Sequence, residues 1–185
     1  MRYASKLRLF TVLMALIWPA HAAIEVSFIE DAPKDRFVIG NTGGCTVEDL
    51  RLVIDLGPSA GGLYFDTSSA GAGVQVFQPF EAVNGAVRLV SERGGPGSVE
   101  DGQNSLEVQI TRLAQGARVE FTIDVDDSVV DGLLGQSRVA STEIAGARVR
   151  LKRVARPPLE GVFDATGRAV TPAMNCGSGK AFDVR

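Results

Sequence analysis

Four aspartates lie within eight residues of this chain, and their spacing is the first feature that could support chemistry. Asp124 and Asp126 alternate with apolar residues, and Asp127 and Asp131 follow them. Since alternate residues of a strand project from one face, Asp124 and Asp126 would point together, with the other two in the following turn. Ca²⁺ prefers several converging carboxylate and carbonyl oxygens. The cluster therefore predicts a weak calcium site, with a solvated acidic turn as the alternative.

A fifth aspartate, Asp66, lies in Phe65-Asp66-Thr67-Ser68, which resembles the motif of the aspartic proteases. Those enzymes need one such aspartate from each of two halves, because the two carboxyls share a proton and activate water. A homodimer would supply both aspartates, so a dimeric retropepsin-like protease is the enzyme hypothesis. The alternative is a structural aspartate that ends a strand and caps the Gly-rich loop after it.

Three cations alternate with apolar residues further along the chain. Arg148, Arg150 and Lys152 would share one face of a strand, while the apolar residues between them share the other. Such a face predicts binding of a sulfated or phosphorylated surface polymer. The alternative is an outward face whose charges protect a sheet edge from pairing with another strand.

The scarcity of histidine limits the remaining chemistry. The single histidine, His21, falls within residues 1–22, which have the basic start, short apolar run and Ala-His-Ala end of an export signal. Cleavage between Ala22 and Ala23 would leave one domain, residues 23–185, without histidine. Ser-His-Asp triads and His-ligated zinc are then excluded. We expect no catalytic residue, and no cofactor apart from the candidate calcium.

Composition and charge indicate an exported globular protein. The 185 residues are 45% hydrophobic and 22% charged, which is ordinary for one packed domain. The formal net charge of −3 argues against a general nucleic-acid binder. After residues 1–22 no stretch is apolar enough to span a bilayer. We therefore expect the mature chain in the periplasm or outside the cell, including the cell surface.

Only two cysteines occur, Cys45 and Cys176. In an exported protein an even pair predicts a disulfide. This bond would attach the C-terminal tail to an early turn of the fold, which favours one domain. Two separate thiols are the alternative.

Short stretches with a period of two predict an all-β fold, and no window has the period of a long helix. We expect a single immunoglobulin-like β-sandwich of about 8–11 short antiparallel strands. Two hairpins are expected, one from 106–110 and 119–125 and one from 159–163 and 168–170. Further strands are expected at 24–28, 50–56, 136–142 and 147–154.

Five segments of the chain are similar to small exported bacterial proteins described as "aggregation factor core". They lie at 26–37, 41–45, 73–80, 121–127 and 143–147. This resemblance implies an exported β protein with a role in adhesion. It implies no site residues, since the group has no established activity.

Together these features predict an exported, non-enzymatic binding or adhesion-type module of the bacterial cell envelope. Its expected partner is a cell-surface protein or polysaccharide. One alternative is a periplasmic accessory or structural protein without a ligand of its own. The other is the dimeric aspartic protease that uses Asp66.

Overall fold

The computed structural model describes residues 21–31, 34–69, 77–128, 138–153 and 157–175. These residues form strands, all paired antiparallel, which confirms the all-β prediction. The strands are β1 (His21–Ala22), β2 (Ile24–Ile29), β3 (Arg36–Asn41), β4 (Val47–Asp55), β5 (Tyr64–Asp66), β6 (Glu81–Asn84), β7 (Val87–Leu89), β8 (Ser105–Leu113), β9 (Arg118–Thr122), β10 (Asp124–Asp126), β11 (Arg148–Leu151), β12 (Leu159–Val162), β13 (Arg168–Val170) and β14 (Met174–Asn175).

Two five-stranded sheets contain most of these strands. Sheet I has the order β13-β2-β3-β9-β6, and sheet II has the order β12-β11-β4-β8-β7. Two further pairs, β5 with β10 and β1 with β14, are short two-stranded sheets. Within the described ranges no helix is long and apolar enough to cross a membrane.

The sheets pack face to face because their strands bury every second residue. In β4 the inward residues Leu50, Leu52 and Ile54 are buried, and Phe37 and Phe121 are buried in sheet I. Residues of both sheets belong to one hydrophobic core. The arrangement is a β-sandwich, and it is consistent with the immunoglobulin-like architecture that the sequence predicts.

The sandwich is closed on both sides by corners that carry the chain between the sheets. One corner joins the edge strands β12 and β13, and the other joins β6 and β7. Glycine is required at each corner. A Cβ on Gly161 would lie 2.8 Å from the carbonyl oxygen of Val170, and Gly85 has a φ of 76° with Val119 against it. The predicted terminal hairpin is therefore wrong in its pairing, because β12 and β13 belong to different sheets.

The predicted hairpin of 106–110 and 119–125 is also wrong. β8 lies in sheet II, while β9 lies in sheet I and pairs with β3 and β6. The connecting turn is held by β3 instead: the Gly116 N–H donates to the Asn41 carbonyl, and the Asn41 N–H donates to the Ala117 carbonyl. The chain therefore changes sheet at this turn.

The side chain of Asn41 fixes the same crossing from inside the protein. It is buried, its amide donates to the carbonyls of Cys45 (2.6 Å) and Leu113 (3.1 Å), and its oxygen accepts from the Gly43 N–H. The carbonyls of Cys45 and Leu113, which lie on separate elements, thus both receive a hydrogen bond from the Asn41 side chain.

Asn41→Ala should lower the free energy of unfolding by about 1–3 kcal/mol, because both carbonyls lose their donor. Urea denaturation followed by circular dichroism measures the change. Asn84→Ala, at an exposed position of β6, is the matched control and should have little effect. Equal losses in the two variants would contradict this role for Asn41.

One expected strand is a turn instead. Over the described part of 136–142, residues 138–142 form no strand, and the Ala140 N–H donates to the Glu143 carboxylate at 2.6 Å. The strand expected at 147–154 is present as β11.

Most of the predicted export signal lies outside the described residues. Its last two residues form β1, where His21 pairs with Asn175 and Ala22 pairs with Met174. Cleavage after Ala22 would remove this strand from β14. The cleavage itself stays a prediction.

Candidate functional site

Three aspartates from two distant parts of the chain meet on the small β5–β10 sheet. Asp66 ends β5 and lies directly opposite Asp124 in β10, and Asp126 lies two residues further along the same strand. Their exposed fractions are 0%, 6% and 0%, respectively. One carboxylate oxygen of each lies within 4.8 Å of those of the other two. We call these three residues the aspartate cluster.

The alternation of the two strands explains why the carboxyls converge. Phe65 and Val125 are opposite each other and project into the hydrophobic core. The residues on either side of them must therefore share the other face of the small sheet. Asp66, Asp124 and Asp126 lie on that face, together with Tyr64.

A bend at Ile123 interrupts the strand and separates β10 from β9. The sequence predicts one strand over 119–125, but β9 ends at Thr122 and β10 pairs only with β5. Asp35 stabilises this bend with two hydrogen bonds. Its carbonyl accepts from the Ile123 N–H at 3.1 Å, and its carboxylate accepts from the Val125 N–H at 3.0 Å. This bend carries Asp124 and Asp126 out of sheet I and toward β5.

Two loops enclose the cluster. The backbone of Gln78 bridges its two sides, donating to the Asp66 carbonyl at 3.2 Å and accepting from the Asp124 N–H at 3.1 Å. On the other side of β5, the Asp101 carboxylate accepts from the N–H groups of Thr67 (2.7 Å) and Ser68 (3.1 Å). A fourth carboxyl is thereby held next to Asp66.

Burial and mutual repulsion disfavour the charged forms of these carboxyls. Burial, then the neighbouring Asp101 carboxyl and the charge of Asp126, raise the pKa of Asp66 to about 7. Burial, then the charges of Asp126 and Asp66, raise the pKa of Asp124 to about 7. Burial raises the pKa of Asp35 to about 8, against the opposing effect of its hydrogen bond from Val125.

The carboxylate of Asp66 lacks the donors that a buried anion normally has. Both of its oxygens are buried without a hydrogen bond of normal geometry to a described residue, and the nearby Ser68 N–H offsets only part of the rise in its pKa. Such groups are rare in folded proteins, because the desolvation cost is not recovered. The position is thus costly for stability and suited to an additional positive charge.

The structure changes the predicted calcium set. Asp124 and Asp126 come together as predicted, but their third partner in the group is Asp66. Asp127 is buried beside the cluster, 1% exposed, and is not a member of this group among the described residues. Asp131 lies outside the described residues. The alternative of a solvated turn is wrong for Asp124, Asp126 and Asp127, because all three are buried.

The same burial bears on the protease hypothesis. A dimeric aspartic protease must present Asp66 at a surface shared by two chains and open to a peptide. Asp66 instead faces Asp124 and Asp126 of its own chain and is fully buried. This geometry does not favour a catalytic role for Asp66.

The predicted cationic face is a surface of mixed charge. Arg148, Arg150 and Lys152 lie on or next to β11, and each has an acidic partner in the structure. Arg150 contacts Asp55 at 2.6 Å and Glu160 at 3.1 Å, Lys152 contacts Glu107 at 2.5 Å, and Arg148 lies 3.7 Å from Glu160. Asp55, Glu107 and Glu160 offset much of the positive charge of this strip, although Glu107 is shared with Arg51. Binding of a polyanion here stays a prediction.

The predicted disulfide involves a residue outside the described ranges. Cys45 packs against the hydrophobic core next to the Asn41 side chain, and its proposed partner, Cys176, follows directly after β14. The bond stays a prediction.

Comparison with known proteins adds no relative. No protein-family model, no curated protein and no solved structure matches this chain.

Proposed function

We propose that this protein is an exported, non-enzymatic binding module of the bacterial cell envelope, of the adhesion type. The carrying observation is the cleft lined by Glu25, Ser27 and Arg118 on the outer face of sheet I. The aspartate cluster, which the loops before β6 and β8 enclose, is a separate group of buried acids that costs stability, and perturbed carboxyls of this kind are concentrated at functional sites. The signal-like residues 1–22 and the resemblance to aggregation factor proteins support the same function.

A shallow cleft on the outer face of sheet I supports a polysaccharide as the ligand. Its volume is about 230 Å³, and its lining includes Glu25, Ser27, Val38, Thr42 and Arg118. Hydroxyl, carboxylate and guanidinium groups around a small apolar floor suit a hydroxylated, acidic sugar. Arg118 is exposed and forms no ion pair with another described residue, so its charge is available to such a ligand.

The test has two parts. Cells that express the full chain are fractionated to locate the protein, and the purified protein is titrated with envelope polysaccharide by pull-down and calorimetry. Arg118→Glu should weaken binding by about tenfold, the equivalent of about 1.4 kcal/mol. Arg93→Glu, at an exposed arginine outside the cleft, is the matched control and should bind like the unmodified protein.

Other outcomes separate the alternatives. A protein that stays in the periplasm and binds no envelope polymer would be the accessory or structural protein. Acid-dependent peptide hydrolysis that Asp66→Asn abolishes would instead establish the protease. Either result would overturn the binding-module proposal.

A further inference from the structure

We propose that Asp66, Asp124 and Asp126 together bind one divalent cation, and that this cation is calcium. The site differs from the run of aspartates at 124–131, because one ligand comes from β5, more than fifty residues earlier in the chain. It is independent of the polysaccharide cleft, which lies on the outer face of sheet I.

The spacing of the carboxylates fits a common ion. Calcium binds oxygens at about 2.3–2.6 Å, so two ligands on opposite sides of one ion are up to about 5 Å apart. The three carboxylate oxygens of the cluster lie within 4.8 Å of one another. They also project from one face of the same small sheet, which places all three within reach of a single ion.

Asp66 provides the second, independent observation. Its side chain is fully buried, it points to the other two aspartates, and its oxygens form no hydrogen bond of normal geometry with a described residue. The nearby Ser68 N–H lowers its pKa but does not offset the effect of burial. The neighbouring Asp101 carboxyl raises the pKa of Asp66 through a side-chain hydrogen bond and through its negative charge, so it repels an ionised Asp66. A cation would satisfy both oxygens and remove that repulsion.

The donor atoms select the type of cation. All three ligands are carboxylate oxygens, with no imidazole or thiolate in the group, which favours a hard ion over zinc or copper. Magnesium needs a near-ideal octahedron at about 2.0–2.1 Å and gives up water reluctantly. Calcium accepts irregular sets of oxygen ligands, which suits a site on two short strands.

The test uses the full chain after treatment with a chelator. Calcium chloride and magnesium chloride are titrated separately at constant ionic strength, with the melting temperature and calorimetric heats recorded. We expect one calcium per chain and a rise of about 5–10 °C at saturation, because the ion binds the native state only. Magnesium should produce less than half of that rise.

Two variants locate the site. Asp66→Asn and Asp126→Asn should each abolish the calcium-dependent rise, while melting no lower than the unmodified protein in chelator, because an uncharged amide replaces one carboxyl of a crowded acidic group. Glu100→Gln, an exposed acid on the neighbouring loop, is the matched control and should keep the full rise. Since the Asn variants are expected to fold, loss of binding is distinguishable from loss of structure.

The proposal is overturned if calcium has no effect, if magnesium acts equally, or if the rise persists in Asp66→Asn. None of these results would alter polysaccharide binding measured at the Arg118 cleft. The two proposals can therefore fail separately.

Discussion

In the presence of a chelator, raising the pH from about 5 to about 8.5 should destabilise the protein by several kcal/mol, with an upper bound of about 9 kcal/mol for three carboxyls that titrate independently. The folded chain keeps protons on Asp35, Asp66 and Asp124, whose pKa values are raised to about 8, 7 and 7. The unfolded chain releases them near the ordinary value of 3.8. The folded state therefore binds more protons between these values, and stability falls as the pH rises through them.

The window follows from the same values. The contribution is fully present below about pH 4, declines steadily from there as the pH rises toward the folded values, and is gone above about pH 8. Urea denaturation at several pH values measures it. The charged groups that shift the pKa of Asp35 are Asp124 and Glu30, and both are acidic, so they add to the effect of burial.

A variant tests the assignment. Asp35→Asn should reduce the pH dependence while keeping the hydrogen bond from the Val125 N–H, since an amide oxygen also accepts. Glu100→Gln should leave the dependence unchanged. Stability that rises with pH between about 5 and 8 would contradict the burial of these protonated carboxyls.

Phe121→Ala should cost about 3–5 kcal/mol of unfolding free energy, the other large expected effect. Phe121 stacks on Phe37 with ring centroids 5.2 Å apart, and it packs against Phe80 at 4.9 Å. Alanine would leave a cavity in the core beneath β9, the strand that lies between β3 and β6 in sheet I. Chemical denaturation followed by circular dichroism gives the change.

Val83→Ala provides the control for this loss. Val83 is an apolar residue of the neighbouring edge strand, but it is 55% exposed. Its truncation should change stability by less than about 0.5 kcal/mol. If the two variants lost similar stability, the core would not be centred on Phe121.

Sequence patterns are sufficient to predict where the strands lie, but not which strands pair with each other. The alternation in β2, β4 and β8 predicts each strand, because one face of each is buried in the core. The same alternation is satisfied whether β9 pairs with β8 or crosses to the other sheet. The crossing is decided by Asn41, whose side chain binds a carbonyl at the end of β8.

Only part of the aspartate cluster can be predicted from the sequence, because its membership also depends on strand pairing. Asp124 and Asp126 are visible as a pair because they are two residues apart on one strand. Asp66 stood out by its neighbours, yet only the β5–β10 pairing brings it to them. The bend at Ile123 depends on Asp35, a residue with no distinguishing local pattern. The ion pairs of Arg148, Arg150 and Lys152 could not be predicted from local sequence either, since their acidic partners come from β4, β8 and β12.

The two corners of the sandwich have a consequence for how the chain folds. At the corners, β6 and β7 are separated by two residues and β12 and β13 by five, so these contacts close short loops. The centres of the sheets instead join β3 to β9 and β4 to β8, which are far apart in sequence. Forming such non-local pairs places folding in the range of about milliseconds to seconds. The two corners can thus form early and restrict which sheet edges come together. The pairing of the central strands then determines the folding rate.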